Sequence, residues 1–155
     1  MDDDKPSDLD VRNFVFSQNI DFVLKSLNAY AQVFEGDSTT MVVFLTMARA
    51  SVSHLNRRNA ISGDAVDGIF PDHLRRPVAV LSIANYLGMP YETTRRHVMK
   101  LVEMEYVRRI GSREFLVSRE ILSRPEFAKL SADTYDFSAQ HFRNISDHLS
   151  GGEDK

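Results

Sequence analysis

Between Tyr91 and Arg113 the sequence concentrates side chains able to grip an anion. Arg95 and Arg96 are adjacent, Arg108 and Arg109 are adjacent, and Arg113 follows. A guanidinium presents a flat fork of donors that fits a phosphate, or the O6 and N7 edge of guanine, with two bonds at once. Glu92 is able to accept from a cytosine amine, and the Thr93 hydroxyl to donate to a phosphate. Any one surface arginine is ordinarily just a solvated charge, so the cluster carries the argument. The charge balance agrees. From Arg75 to Arg113 there are eight Lys and Arg against three Asp and Glu, a net of +5; the whole chain carries −3, so the remainder carries −8. An asymmetry of this kind points to an anionic partner for the basic stretch.

Other chemistries find little support. With no Cys in 155 residues, disulfides, thiolate-bound zinc or iron–sulfur sites and cysteine nucleophiles are excluded. No two of the five His stand four residues apart, the helical spacing of a metal site. Asp64, Asp67, Asp72 and His73 form a weak acidic group that loop polarity explains better. G-x-S-x-G, Walker A and G-x-G-x-x-G patterns are missing. No enzymatic step, no cofactor and no metal are expected. Hydrophobic residues at 43% supply a core, which excludes wholesale disorder. The longest apolar run is Met41 to Leu45, far below the roughly 20 residues of a membrane span. The first residues, Met1-Asp2-Asp3-Asp4-Lys5, are acidic where a signal peptide is basic. They resemble a protease-site tag and are assigned no function. A cytoplasmic protein without membrane contact is expected.

Several elements must position the arginines. Residues 1–7 read as an acidic disordered tail. A helix is expected from Asp8 to about Phe34, with Val23, Leu27, Tyr30 and Phe34 on one stripe and Ile20, Leu24 and Ala31 on a second. Such a helix is buried on more than one side, either as a core helix or as one shared with a partner subunit. After Glu35-Gly36-Asp37, Ser38 or Thr39 would cap a second helix to about Arg58, with Met41, Phe44, Leu45, Ala48, Val52 and Leu55 inward. Residues 59–76, with two Gly and Pro71, read as a loop containing one short turn.

Pro77 to Val80 reads as a small strand, and Ser82 as the cap of a short helix burying Ile83, Ala84 and Leu87. Gly88 suits the left-handed position that ends a helix. Pro90 fits the start of the next one, whose inner side is Thr94, Val98, Leu101 and Val102 and whose outer side is Glu92, Arg96, Met99 and Glu103, flanked by Arg95. Tyr106 to Ile110 and Phe115 to Ser118 then form a hairpin about a tip at Gly111-Ser112-Arg113-Glu114.

This order, and the run Ile83-Ala84-Asn85-Tyr86-Leu87-Gly88 followed by Thr93-Thr94-Arg95-Arg96-His97-Val98, resembles the winged helix-turn-helix domain of bacterial transcription regulators of the MarR, GntR and IclR types. The resemblance covers residues 77–118. It implies a mainly α fold with a small β-wing, flanked by N- and C-terminal helices. It further implies a recognition helix at about 91–105 that enters the major groove of double-stranded DNA. Tyr91, Glu92, Arg95 and Arg96 would then face base edges, and Thr93 would hold a phosphate. Arg108, Arg109 and Arg113, on the wing at about 107–118, would meet the backbone or minor groove. Three positions depart from the pattern. Glu105 stands where glycine is common, Thr94 where an aliphatic residue is usual, and Pro90 where Ser or Thr caps. His97 reads equally as a packing residue or a contact, and Arg75 and Arg76 as loop caps or contacts.

Ser118 to Leu122 reads as a helical step, and Pro125 as the start of a helix to about Leu149, within a C-terminal segment at 119–149 and before a tail at 150–155. Its stripe is Phe127, Leu130, Thr134, Phe137 and His141, then Phe142, Ile145 and Leu149. Helices from both termini packing together, and across a two-fold axis, would bury it, so a homodimer is expected. Any small-molecule effector would bind among these helices. Two alternatives remain open: a winged-helix protein-interaction module without specific DNA binding, and an RNA-binding winged helix.

Overall fold

A computed structural model describes residues 7–56 and 68–150. The chain is mainly helical with one small antiparallel sheet. The helices are α1 (Asp8–Val33), α2 (Ser38–Asn56), α3 (Val80–Leu87), α4 (Tyr91–Glu103), α5 (Arg119–Leu122) and α6 (Pro125–Ser150). The strands are β1 (Val78–Ala79), β2 (Arg108–Arg109) and β3 (Glu114–Leu116). Among the described residues one 3-10 turn, Asp72–Leu74, falls in the stretch 59–76 read as a loop; residues 57–67 and the tails 1–6 and 151–155 lie outside the described residues. No described helix is long and apolar enough to cross a membrane. Backbone packing divides the chain into two units, 34–128 and the terminal stretches to 33 and from 129.

The central unit has a closed core. β3 lies between β1 and β2, with Val78 opposite Phe115 on one side and Arg109 opposite Phe115 on the other. Phe34, Phe44, Tyr106 and Phe127 meet as an aromatic cluster with ring centroids 4.9 to 6.5 Å apart. Val43, Met47, Ile83, Val98, Leu101, Val107, Val117 and Ile121 fill the rest. The inner face of α2 is rotated from the expected stripe. Thr40, Met41, Val43, Phe44, Met47 and Ser51 are buried, whereas Leu45, Ala48, Val52 and Leu55 are half-buried. Two polar residues belong to this face because each finds a bond there. Ser51 Oγ donates to the Ala48 carbonyl at 2.8 Å, and Thr40 Oγ1 donates to Asp37 at 2.7 Å.

Helix starts and stops follow local chemistry. α2 is capped by Asp37, not by Ser38 or Thr39: the Thr40 N–H donates to Asp37 Oδ1 at 2.9 Å. α3 begins at Val80 straight out of β1, so Ser82 lies inside the helix rather than capping it. At its end the Gly88 N–H reaches the Asn85 carbonyl and the Met89 N–H the Ala84 carbonyl, with Gly88 left-handed at φ 64°. α4 ends in the same way, through Glu105 N–H to Val102 and Tyr106 N–H to Leu101, but with Glu105 at φ 58°. The residue at that left-handed corner is thus not glycine. Ser118 caps α5 through the Ile121 N–H, and Pro125 is the first residue of α6.

The terminal unit is a pair of helices. Phe14 stacks on His148 with ring centroids 3.8 Å apart, Phe22 on His141 at 5.0 Å, and Asn144 Nδ2 donates to Gln18 Oε1 at 2.8 Å. None of α1 is fully buried. Its two expected core stripes are largely outside: Ile20, Val23, Leu24 and Leu27 are exposed, Tyr30 and Ala31 are half-buried, and Phe34, just past the helix end, is buried. On α6 the stripe from Phe127 to His141 faces inward, but it continues through Ile145 and His148; Phe142 and Leu149 point to solvent. The helical repeat accounts for this, since 141, 145 and 148 share a face that 142 and 149 leave.

Candidate nucleic-acid interface

α4 is held by one face and open on the other. Thr94, Val98 and Leu101 are fully buried, with Thr94 Oγ1 donating to the Pro90 carbonyl at 3.1 Å. That bond lets a hydroxyl occupy a position suited to an aliphatic side chain. Pro90 precedes the helix and supplies no side-chain cap, so the first turn keeps its N–H groups toward solvent. The outer face forms an open trough lined by Glu92, Thr93, Arg95, Arg96, Met99, Lys100 and Glu103.

The structure therefore brings together four of the expected site residues: Glu92, Thr93, Arg95 and Arg96. Tyr91, the first residue of α4, is exposed beside the trough without lining it. Arg108, Arg109 and Arg113 are exposed on the hairpin, apart from the trough.

Several of these charges already have partners. Arg95 Nε donates to Glu92 Oε2 at 2.9 Å, and that bond raises the guanidinium above its ordinary value. Arg108 pairs with Glu120. Arg109 folds back on its own hairpin tip, Nε donating to the Gly111 carbonyl at 3.1 Å and Nη2 to the Ser112 carbonyl at 2.8 Å. Among the described residues, Arg96 and Arg113 have no carboxylate partner.

Two basic residues of this stretch serve the architecture instead. Arg75 is buried, donating from Nε to the Phe70 carbonyl at 2.9 Å and from Nη1 to Ser51 Oγ and the Val117 carbonyl, both at 3.3 Å. Burial lowers its pKa, opposed by the charge of Asp72. Lys100 Nζ donates to Asp37 Oδ2 at 2.7 Å and so fastens α4 to the start of α2. This contact, with the Thr40 N–H next in weight, holds the Asp37 carboxyl well below the usual range.

His97 is a packing residue. Its Nδ1 lies 2.8 Å from Thr40 Oγ1, and since that hydroxyl already donates to Asp37, the ring nitrogen is the donor. Sequence reasoning passed over Asp37 and Lys100. A signal existed for Lys100, four residues after Arg96 on the same helical face; the Asp37 contact joins residues 63 apart and had none.

Among the described residues no three His, Asp or Glu come together as metal ligands. Asp72 is engaged by the Arg119 N–H, which donates to Oδ1 at 2.6 Å, while Asp64 and Asp67 fall outside the described residues. An apolar groove between α2 and α3, lined by Val42, Leu45, Val78, Ile83 and Tyr86 among others, opens to solvent. Comparison of the chain with family models, with curated proteins and with solved structures finds no match.

Proposed function

We propose that this chain is a cytoplasmic, dimeric transcription regulator that binds double-stranded DNA sequence-specifically, with residues 77–118 acting as a winged helix-turn-helix. The carrying observation is the division of α4. Its inner face is fixed by Thr94, Val98 and Leu101, and its outer face offers Arg95 and Arg96 to solvent at the helix start. The sequence of strand, short helix, glycine-ended turn, longer helix and hairpin supports the same reading.

In the major groove, Tyr91, Glu92, Arg95 and Arg96 face base edges and Thr93 donates to a phosphate, while Arg108, Arg109 and Arg113 meet the backbone or minor groove. Arg96 is the first base reader. Among the described residues it has no carboxylate partner, whereas Arg95 Nε is held by Glu92. No catalytic step is assigned.

One observation favours the second reading, a protein-interaction module: Glu92 and Glu120 neutralise two of the five clustered arginines. The same experiment separates the two. Selection from a random duplex library at two salt concentrations should recover a palindromic motif. On that motif Arg96→Ala should cost about 1–3 kcal/mol and relax one base position. Motif-free binding that vanishes at physiological salt would leave only the phosphate contribution and transfer the assignment to a protein partner.

A further inference from the structure

The surface that asks for a partner lies on α1. Leu9, Phe16, Ile20, Val23 and Leu27 are 44% to 66% exposed and follow one another at steps of seven, four, three and four. Asn13, also exposed, fills the one gap in the repeat. A 3.5-residue repeat of apolar side chains is the seam of a coiled coil, and an amide at one core position of such a seam is a common device for fixing register. The face turned toward α6 is a different one, through Phe14, Gln18 and Phe22.

We infer that this outward stripe of α1 packs against the same stripe of a second copy of the chain. Three observations select that occupant. The first is area. Six large apolar side chains, Leu24 included, at on the order of 100 Å² each offer roughly 600 Å² per copy, near the ~800 Å² that a stable interface takes from each partner. An apolar patch of that size is at the upper end of what a monomer exposes, where patches are often functional. The second is self-complementarity, because a two-fold axis sets an apolar seam against an apolar seam. The third is charge. α1 has Asp8, Asp10 and Asp21 against Arg12 and Lys25, a balance that does not suit an anionic lipid surface. α6 repeats the pattern with exposed Tyr135, Phe142 and Leu149 at steps of seven.

The inference supplies the surface for the dimer in the proposed function, and its test reads association without DNA. Sedimentation equilibrium of the full chain from about 1 to 100 µM should give twice the chain mass. Ile20→Glu, which buries a carboxylate in the seam, should weaken association on the order of a hundredfold while circular dichroism keeps its helix content. Asn13→Leu should tighten association about tenfold, whereas Asn28→Leu, exposed and off the stripe, should leave it unchanged. A monomer at 100 µM overturns the inference, and so does a dimer indifferent to Ile20→Glu. Should that variant lose its helices, Asn13→Leu decides, and unchanged association overturns it. Failure to select a DNA motif would leave these masses untouched, so the two proposals fall separately.

Discussion

The central unit and the pair of terminal helices use similar proportions of apolar residues in opposite ways. In the unit from 34 to 128, Phe34, Phe44, Met47, Ile83, Val98 and Leu101 are almost wholly withdrawn from water. In α1 no side chain is, and Leu9, Phe16 and Leu24 are 60% exposed or more. The first unit closes on itself because sheet, helices and hairpin offer faces on several sides. Two helices alone have only one mutual face, and any apolar residue beyond it stays in solvent. Hydrophobicity in the sequence therefore marks apolar faces without telling whether this chain covers them.

The largest expected difference tests this contrast directly. Phe44→Ala opens the closed core and should cost about 3–5 kcal/mol in urea unfolding. Phe16→Ala, measured in dilute protein, should stay within about 0.5 kcal/mol. Equal costs would erase the distinction between the two regions.

Within the closed unit, Asp37→Ala should lose about 1 kcal/mol or more by uncapping α2 and releasing Lys100, and Asp37→Asn less, since an amide also caps but does not pair with Lys100. The folded carboxyl is held below its ordinary value, so its contribution is whole above about pH 4 and fades as pH falls below that point. Acid titration of stability should show this loss in the parent and lack it in Asp37→Asn. The two matching helix ends give effects of opposite sign. Gly88→Ala should cost about 1 kcal/mol through backbone conformation alone, there being open space for the added carbon. Glu105→Gly should gain about 0.5–1 kcal/mol by relieving the same corner. Thermal unfolding of both variants checks the pair.

Much of the element order was legible because its signals are local. Gly88 after Leu87, Pro125 before an apolar stripe and the Thr94, Val98, Leu101 repeat each depend on neighbours a few residues away. What escaped depends on partners far along the chain. Thr40 and Ser51 are polar by composition yet buried, since Thr40 bonds to the cap Asp37 and Ser51 to the Ala48 carbonyl within α2. Arg75 counts as a surface charge until Ser51 and Val117 enclose it. The exposure of Val23, Leu27 and Phe142 could not be read from periodicity, which records that a face is apolar but not whether this chain covers it. In the candidate site, the outer face of α4 follows from helical spacing alone, whereas the pairing of Arg108 with Glu120 needed the fold of the hairpin against α5.

The Arg109 side chain holds the tip of its own hairpin, tied to the Gly111 and Ser112 carbonyls. A phosphate that takes the Nε and Nη2 donors of this guanidinium takes them from those carbonyls. Most loops that meet a ligand lose motion; this one would gain it. Backbone order parameters from Gly111 to Arg113 would fall on complex formation, and the entropy released there would offset part of what the rest of the interface loses.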